Sequence, residues 1–142
     1  MYYLAIDIGA SSGRHILANY ENGKLTLKEI YRFSNGPTKR GDSLIWDVDG
    51  LFKDIVQGLK ECKNLGVVPY SVGIDTWGVD YALLDKDVKL IDEIYCYRDS
   101  RNEKAMEEVE KIISFEEMYK ITGIQRAQYN TVYQLYADKM SG

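Results

Sequence analysis

A single acid followed by glycines and small hydroxyl residues stands near the start of the chain. The apolar run from Tyr2 to Ile6 leads into Asp7-Ile8-Gly9-Ala10-Ser11-Ser12-Gly13-Arg14. Glycine allows positive φ and close approach of another molecule, and successive N–H groups in a tight turn form a concave anion site. The pattern indicates a phosphate-binding turn. Taken alone, however, a Gly/Ser cluster between two strands is better explained as a hairpin turn without a ligand.

The same pattern of a strand ending in an acid occurs a second time. Tyr70-Ser71-Val72-Gly73-Ile74-Asp75 follows a predicted helix, and a strand that comes after a crossover helix tends to lie parallel beside the first. We therefore expect Asp7 and Asp75 at the same edge of the sheet, where ligands of α/β sheets bind. Acids beside an anion-binding turn predict metal-assisted phosphoryl transfer, with Asp7 as the candidate metal ligand. Such acids also serve as helix caps and turn formers.

Further polar and aromatic residues follow the second acid. Trp77-Gly78 joins an aromatic face to an accessible backbone, which suits a sugar, but a tryptophan filling a sheet edge beside a turn glycine is an equal alternative. Arg98 and Arg101 flank Asp99, and their planar guanidinium groups suit hydroxyls or phosphate. Surface ion pairs are the alternative for these arginines. For Asp80, turn formation is the better interpretation from the residues alone.

The first third of the chain predicts three antiparallel strands. The first strand is predicted at about Tyr2 to Ile8, and its lack of alternation is typical of a central strand buried on both faces. A second strand is predicted at about 15–20 and a third at about 25–33, because Asn22-Gly23 between apolar runs is a strong hairpin signal. Glu29 breaks the alternation of the third strand, which predicts a bulge.

The rest of the chain predicts helices with short strands between them. Apolar residues at i, i+4 spacing predict a helix capped by Asp47 or Asp49 and ending near Asn64-Leu65-Gly66. Residue pairs with capping-box spacing predict the starts of later helices at Ser100/Glu103, Ser114/Glu117 and Thr131/Gln134. A loop is predicted at 34–43, and short strands at 44–46, 81–84, 88–91 and 94–97.

Composition and charge exclude several classes of protein. The 142 residues are enough for one domain with one core. A net charge of −4 argues against nucleic acid or an anionic membrane as the partner. No apolar run approaches the roughly 20 residues of a membrane span, and the start lacks a signal-peptide pattern, so we expect a cytoplasmic location. The two cysteines, Cys62 and Cys96, predict core positions without a disulfide or a zinc site. The only histidine, His15, predicts either a structural role or a position next to phosphate.

Several segments together carry a family pattern. They are Asp7–Arg14, Trp46–Asp49, Gly73–Tyr81, Tyr97–Arg101, Thr122–Gln125 and Tyr129–Leu135. Together they resemble the N-terminal part of the FGGY carbohydrate kinases of the actin and sugar-kinase superfamily, and within that family the rhamnulokinase group. The likeness covers nearly all of the chain. The segment from Asp75 to Asp80 distinguishes this group from glycerol and xylulose kinases better than the first loop does.

The resemblance implies a fold, a reaction and a set of site residues. The fold would be a ribonuclease-H-like α/β fold, with a mixed sheet whose first three strands are antiparallel, flanking helices and an incomplete architecture. The reaction would be phosphorylation of L-rhamnulose to L-rhamnulose 1-phosphate, with ATP and Mg²⁺. By position, ATP phosphates would contact Ala10, Ser11, Ser12, Gly13 and Arg14, the metal would lie near Asp7, and the sugar would contact Gly78. Trp77, Asp80 and Arg98 are the other candidate sugar-binding residues.

The resemblance also implies that part of the catalytic machinery lies elsewhere. In the family the proton-accepting aspartate belongs to a Ser-His-Asp-Thr segment, which this sequence does not contain, so no catalytic base is predicted here. Residues 1–142 are expected to be a truncated N-terminal part of the first kinase domain, without the adenosine-binding second domain, and inactive alone. The remainder of the kinase chain is then the expected partner. The alternatives are a kinase for another ketose or deoxy-sugar and a non-catalytic sugar- or nucleotide-binding regulator.

Overall fold

The computed structural model describes all 142 residues, and they divide into two compact units. The first unit comprises residues 1–36 and 47–78, and the second comprises 37–46 and 79–142. The elements in chain order are β1 (Tyr2–Ile8), β2 (Ser12–Glu21), β3 (Lys24–Ser34), β4 (Thr38–Arg40), β5 (Ser43–Ile45), α1 (Val48–Asn64), β6 (Ser71–Thr76), α2 (Arg101–Ile112), α3 (Phe115–Thr122) and α4 (Thr131–Ser141). No helix has the length and apolar character that a membrane crossing requires.

The first unit is a four-stranded mixed sheet with one helix. The strand order is β3-β2-β1-β6, in which β1, β2 and β3 pair antiparallel and β6 pairs parallel with β1. This confirms the predicted antiparallel first three strands and the parallel return after a crossover helix. The side chain of Asp47 caps α1 by accepting from the Gly50 backbone N–H, so Asp47 rather than Asp49 begins the helix.

The hairpin between β2 and β3 forms at the predicted turn. Asn22 and Gly23 both have positive φ, at 51° and 74°, and Glu21 pairs with Lys24 across the turn. Positive φ at both central residues matches the right-handed twist of the flanking strands, and asparagine and glycine tolerate it best. The turn therefore sets the register of the whole β2–β3 pair.

The predicted bulge lies at Ile30. Along β3 the pairing passes from Tyr31 with His15 to Glu29 with Ile16, so Ile30 is left without a partner on β2. An extra residue in one strand shifts the later side chains to the other face. The bulge thus reverses which residues of β3 share a face on either side of Ile30.

Burial of β1 differs from the prediction. Leu4, Ile6 and Ile8 are at most 3% exposed, whereas Ala5 between them is exposed. The buried residues form a core with Leu17, Phe33 and Cys62, which α1 covers. The expectation of burial on both faces was wrong because the first unit has a single helix, which covers one face of the sheet.

His15 lies in this core beneath α1. The residue is 0% exposed, and its Nε2 lies 3.2 Å from the Ile55 carbonyl oxygen in α1. A Cβ at Gly58 would stand 2.3 Å from the imidazole ring, so only glycine lets the helix approach this closely. Of the two roles predicted for His15, the structure supports the structural one, which is the packing of α1 on β2.

The second unit contains a small sheet and three helices. β4 pairs antiparallel with β5, so part of the segment predicted as a loop is a strand. The strands predicted at 81–84, 88–91 and 94–97 reduce to isolated bridges, Leu84 with Leu90 and Tyr95 with Ile45. The second unit offers these segments no long strand to pair with. Their apolar residues are therefore not enough to make them strands.

The helix starts in the second unit agree in part with the capping boxes. The Ser114 side chain accepts from the Glu117 N–H, as predicted, and α3 ends at Gly123 with φ 67°. Ser100 precedes α2 but has helical dihedral angles and makes no side-chain cap. The cap residue of α4 is Asn130 rather than Thr131. A capping box needs an extended backbone at its first residue as well as the right spacing.

Candidate functional site

The first loop, residues 9–11 between β1 and β2, is closed by hydrogen bonds that leave its amides available. The Gly9 N–H donates to the Ser12 carbonyl at 2.9 Å. Asn35 then binds the loop twice, with its Nδ2 donating to the Gly9 carbonyl at 2.8 Å and its N–H donating to the Ser11 carbonyl at 3.0 Å. The N–H groups of Ala10 and Ser11 donate to no protein group. Carbonyls that already accept hydrogen bonds, beside amides that are still free to donate, suit an anion.

Gly13 is the first buried residue after this loop. A Cβ there would stand 2.0 Å from Cζ of Phe33, so the aromatic ring occupies the space that a side chain would take. Ser12 is half-buried and Arg14 is exposed. The loop residues predicted to contact phosphate are thus brought together on one hairpin, whose β2 end is anchored on the core through Gly13.

Charged residues form a row across the face of the sheet opposite α1. The successive register partners in β3, β2, β1 and β6 are Arg32, Arg14, Asp7 and Asp75. Register partners point to the same face, and Asp7 points away from α1 because the alternate residues Ile6 and Ile8 point toward it. We call these residues the charged row. The expectation that Asp7 and Asp75 meet at one edge is confirmed, whereas Arg32 was missed.

Asp7 and Arg14 form an ion pair at the centre of the row. Arg14 Nε and Nη2 lie 2.9 Å and 2.8 Å from the same oxygen, Asp7 Oδ2. Both side chains are 47% exposed, so water screens the pair and its contribution to stability is small. Because Oδ2 takes both contacts, Oδ1 of Asp7 is left for another ligand.

Arg32 pairs with Glu29 at the end of the row. Residues i and i+3 of a regular strand lie on opposite faces, but the Ile30 bulge brings Glu29 to the face of Arg32. Arg32 Nε donates to Oε1 at 2.9 Å and Nη2 donates to Oε2 at 2.5 Å. This hydrogen bonding, with the positive charges of Arg32 and Arg14, lowers the pKa of Glu29. The two oxygens thus hold one edge of the Arg32 guanidinium.

Trp77 and Gly78 follow the carboxyl end of β6 in the first unit. The Trp77 N–H donates to the Ile8 carbonyl at 3.1 Å, and its half-buried side chain packs against the core. This packing is the sheet-edge role considered for the tryptophan. Gly78 is exposed and a Cβ there would meet no atom within 4 Å, so its backbone is open to approach.

Asp80 and Arg98 belong to the second unit. Trp46 Nε1 donates to Oδ2 of Asp80 at 2.7 Å. Arg98 is exposed, and its guanidinium carbon lies 5.0 Å from the centroid of the Tyr97 ring. The indole holds the Asp80 carboxylate in place, whereas the Arg98 guanidinium faces water with a cation–π contact on one side.

The other polar residues beside Arg98 are structural. Asp99 is 1% exposed and accepts from the backbone N–H groups of Leu44 and Arg101, at 2.5 Å and 2.8 Å. Arg101 pairs with Asp138 at 2.5 Å and stacks on the Tyr95 ring at 3.6 Å. Of the two arginines considered for hydroxyl or phosphate binding, Arg101 is therefore taken up by protein groups.

Tyr81 completes this polar network of the second unit. Its hydroxyl donates to Asp138 at 2.5 Å. Burial, followed by the hydrogen bond to Asp138, raises the pKa of Tyr81 above its ordinary value. The phenol is therefore neutral at physiological pH and acts as a hydrogen-bond donor.

The sequence as a whole matches one known family. Residues 2–136 match the profile of the N-terminal domain of the FGGY family of carbohydrate kinases. The chain belongs to the FGGY family. The predicted family resemblance is thereby confirmed.

Curated FGGY relatives share close to half of their aligned residues with this chain. A rhamnulokinase of Halalkalibacterium halodurans is 49% identical over 138 residues, which is 97% of this chain and 29% of the relative. A rhamnulokinase of Bacillus subtilis is 45% identical over 138 residues, 97% of this chain and 28% of the relative. The chain thus spans less than a third of the length of the curated relatives it matches.

Solved structures of sugar kinases share the fold. A ligand-bound xylulose kinase from Lactobacillus acidophilus superposes with a TM-score of 0.76 at 15% identity, over 97% of this chain and 28% of the other. A glycerol kinase from Plasmodium falciparum, solved with ADP, superposes with a TM-score of 0.74 at 15% identity, over 94% and 28%. These likenesses confirm the predicted α/β fold of the sugar-kinase superfamily.

Metal ligands in this FGGY chain are few. No group of three or more His, Cys, Asp or Glu side chains is close enough to hold a metal ion. Magnesium, however, usually binds one or two carboxylates and completes its shell with water and phosphate oxygens. Oδ1 of Asp7 and the exposed Asp75 carboxylate fit that smaller requirement, and they do not fit a metal site built from protein groups alone.

Proposed function

We propose that this chain is the N-terminal part of a kinase that transfers the γ-phosphoryl group of ATP to L-rhamnulose, giving L-rhamnulose 1-phosphate. The observation that carries the proposal is the 45–49% identity of the chain, over 97% of its length, to proteins named rhamnulokinase. Family membership by itself supports the coarser proposal of a phosphotransferase that acts on a sugar. We keep the cytoplasmic location as a prediction.

The first loop and Arg14 are proposed to hold the phosphates of ATP. The unpaired N–H groups of Ala10 and Ser11 would donate to phosphate oxygens, as would the hydroxyls of Ser11 and Ser12. Gly13 would let the backbone approach closely, and the planar guanidinium of Arg14 would give a charge-assisted contact. Asn35 supports the proposal because it holds the loop carbonyls away from the anion.

The acidic half of the charged row is proposed to face magnesium. Oδ1 of Asp7 would be a direct or water-mediated ligand, and Asp75 would stand beside it. A magnesium ion bound there would neutralise the charge that develops on the transferred phosphoryl group. Arg14 contacts only Oδ2 of Asp7, so Oδ1 would be available to the metal while Arg14 stays beside it.

Transfer requires that a sugar hydroxyl oxygen bonds to the γ-phosphorus while the bond from that phosphorus to the ADP oxygen breaks. The hydroxyl proton passes to a general base. The family resemblance puts that base in a segment outside this sequence, so we assign the residues of this chain to phosphate, metal and sugar binding. A chain without the base is expected to be inactive.

Four residues are proposed to contact the sugar, Gly78 from the family resemblance and Trp77, Asp80 and Arg98 as further candidates, and the structural support for them differs. In the first unit, Gly78 has an open backbone, and the packing of Trp77 leaves part of its ring accessible. In the second unit, Asp80 is fixed by Trp46, and Arg98 has an exposed guanidinium. We propose each of them as a residue that contacts sugar hydroxyls.

ADP release coupled to a spectroscopic assay tests the proposal. The full-length protein is assayed with ATP, Mg²⁺ and a panel of L-rhamnulose, xylulose, glycerol and gluconate, and residues 1–142 are assayed beside it. We expect turnover with L-rhamnulose by the full-length protein alone. A preference for another sugar would make that sugar the proposed substrate in place of L-rhamnulose. Binding of ATP and sugar without product formation would favour a non-catalytic regulator. Turnover by residues 1–142 would contradict the assignment of the base to another segment.

A further inference from the structure

Arg32 stands in the charged row without any role so far. It is the register partner of Arg14 on the adjacent antiparallel strand. Directly opposite side chains have Cβ atoms about 4.5–5.5 Å apart, and like charges in that position destabilise a sheet. Local arrangements that work against stability concentrate at functional sites. Two arginines side by side next to the first loop therefore indicate a shared anionic ligand.

Glu29 orients Arg32 but accepts from only some of the N–H groups of the Arg32 guanidinium. The bidentate contact takes Nε and Nη2, which form one edge of the guanidinium, and Nη1 makes no hydrogen bond to the protein. The Ile30 bulge is what allows this contact, since it brings Glu29 to the same face. Glu29 thus holds the Arg32 guanidinium in place and leaves its other edge available, on the face that carries Arg14 and Asp7.

We propose that Arg32 is a second phosphate-binding residue of the site, acting beside Arg14 on the phosphates of ATP while Glu29 holds its other edge. The inference deepens the proposed function and rests on it. The formal charges of Arg32, Glu29, Arg14, Asp7 and Asp75 sum to minus one. A magnesium ion beside Asp7 and Asp75 would make the net charge of the site positive. Two arginines and one metal ion would then complement the negative charge of a triphosphate.

Equilibrium binding of ATP with Mg²⁺, measured by calorimetry on the full-length protein, tests this inference. Arg32→Gln removes the charge and the fork, Arg32→Lys keeps the charge, and Lys28→Gln is the matched control. Lys28 lies on the same strand opposite Leu17, hence on the other face of the sheet. Adenosine, which lacks phosphates, serves as the second probe.

We expect Arg32→Gln to weaken ATP binding at least about tenfold, as for a lost charge-assisted hydrogen bond, with adenosine binding within about twofold of the wild type. Arg32→Lys should lie between, and Lys28→Gln should bind both probes normally. ATP binding by Arg32→Gln within twofold of the wild type would overturn the inference. Equal losses for ATP and adenosine would overturn it too, because they indicate a structural role.

The outcomes separate this inference from the proposed function. If the wild-type protein turns over L-rhamnulose and Arg32→Gln binds ATP normally, the inference about Arg32 is wrong and the proposed function stands. If ATP binding depends on Arg32 but the protein phosphorylates no sugar of the panel, the inference about Arg32 is supported and the proposed function is wrong. A wild-type protein that binds no ATP would overturn both.

Discussion

Asp7 and Asp75 are register partners on adjacent parallel strands, and both lie on the face of the sheet opposite α1. Two carboxylates side by side repel each other, and only Asp7 has a cationic neighbour in Arg14. Such an arrangement contributes nothing to the stability of the sheet. It is suited to a divalent cation, which would offset the repulsion, and this is the basis of the predictions about the site.

The tether between Asn35 and the first loop should matter for phosphate binding. Asn35→Ala removes the hydrogen bond from Nδ2 to the Gly9 carbonyl, so this carbonyl is no longer held away from the anion. In the full-length protein we expect ATP binding to weaken roughly fivefold to tenfold, about the value of one hydrogen bond. Calorimetry with ATP and Mg²⁺ measures the effect.

The control for this tether is Asn64→Ala. The Asn64 side chain donates to Glu61 at the exposed end of α1 and contacts nothing in the first loop. We expect it to leave ATP binding unchanged. Equal affinities of the Asn35 and Asn64 variants would contradict the positioning role of Asn35.

Gly13→Ala should destabilise the first unit through overpacking. The new Cβ would stand 2.0 Å from Phe33 Cζ, so this buried ring must move within the core. We expect a loss of about 1–3 kcal/mol in the free energy of unfolding, measured by urea denaturation of residues 1–142. Gly73→Ala, where a Cβ meets nothing within 4 Å, is the control on the same sheet. Adding Phe33→Leu should recover part of the loss, and no recovery would place the strain elsewhere.

Protonation of His15 should make stability depend on pH. Burial lowers the pKa of His15 below its ordinary value of 6.5, against the opposing effects of the Ile55 carbonyl and the Asp54 charge. The unfolded chain therefore binds this proton more readily than the folded chain, so the contribution is fully present above about pH 6.5. It is lost as pH falls from there toward the lowered pKa. Urea midpoints at pH 7.5 and pH 5.5 measure the change.

His15→Gln isolates this titration. The glutamine amide can still donate to the Ile55 carbonyl but carries no charge at either pH. Asp54, Tyr31 and the other ionisable groups remain in both proteins, so the difference between the two pH profiles belongs to His15. An identical fall in stability in the variant would show that other groups cause it.

The hairpin shows how far the sequence predicts the structure. Asn22-Gly23 fixes the register of the β2–β3 pair, and the break in alternation at Glu29 predicts the bulge. If the pairing is counted back from the turn and one extra residue is allowed for the bulge, Arg32 falls opposite Arg14. The sequence therefore contained enough information to place Arg32 in the charged row. Arg32 was missed because it has no motif of its own.

Other features depend on tertiary contacts that the sequence does not reveal. The apolar run of β1 has no alternation, yet only Leu4, Ile6 and Ile8 are buried, because burial depends on where α1 packs. Asp99 lies between the two candidate arginines in the sequence, but it is buried and accepts from the backbone N–H of Leu44, a distant residue in the chain. Long-range hydrogen bonds of this kind have no local pattern.

The role of Asp7 at the metal and phosphate end of the site is the central claim. It is tested most directly by the rate of ADP release by the full-length protein with L-rhamnulose, ATP and Mg²⁺, compared between the wild type and Asp7→Asn. The exposed position of Asp7 predicts that the variant folds normally, which circular dichroism checks. We predict a fall in kcat of at least about 100-fold. A folded variant with a rate within twofold of the wild type would contradict the account.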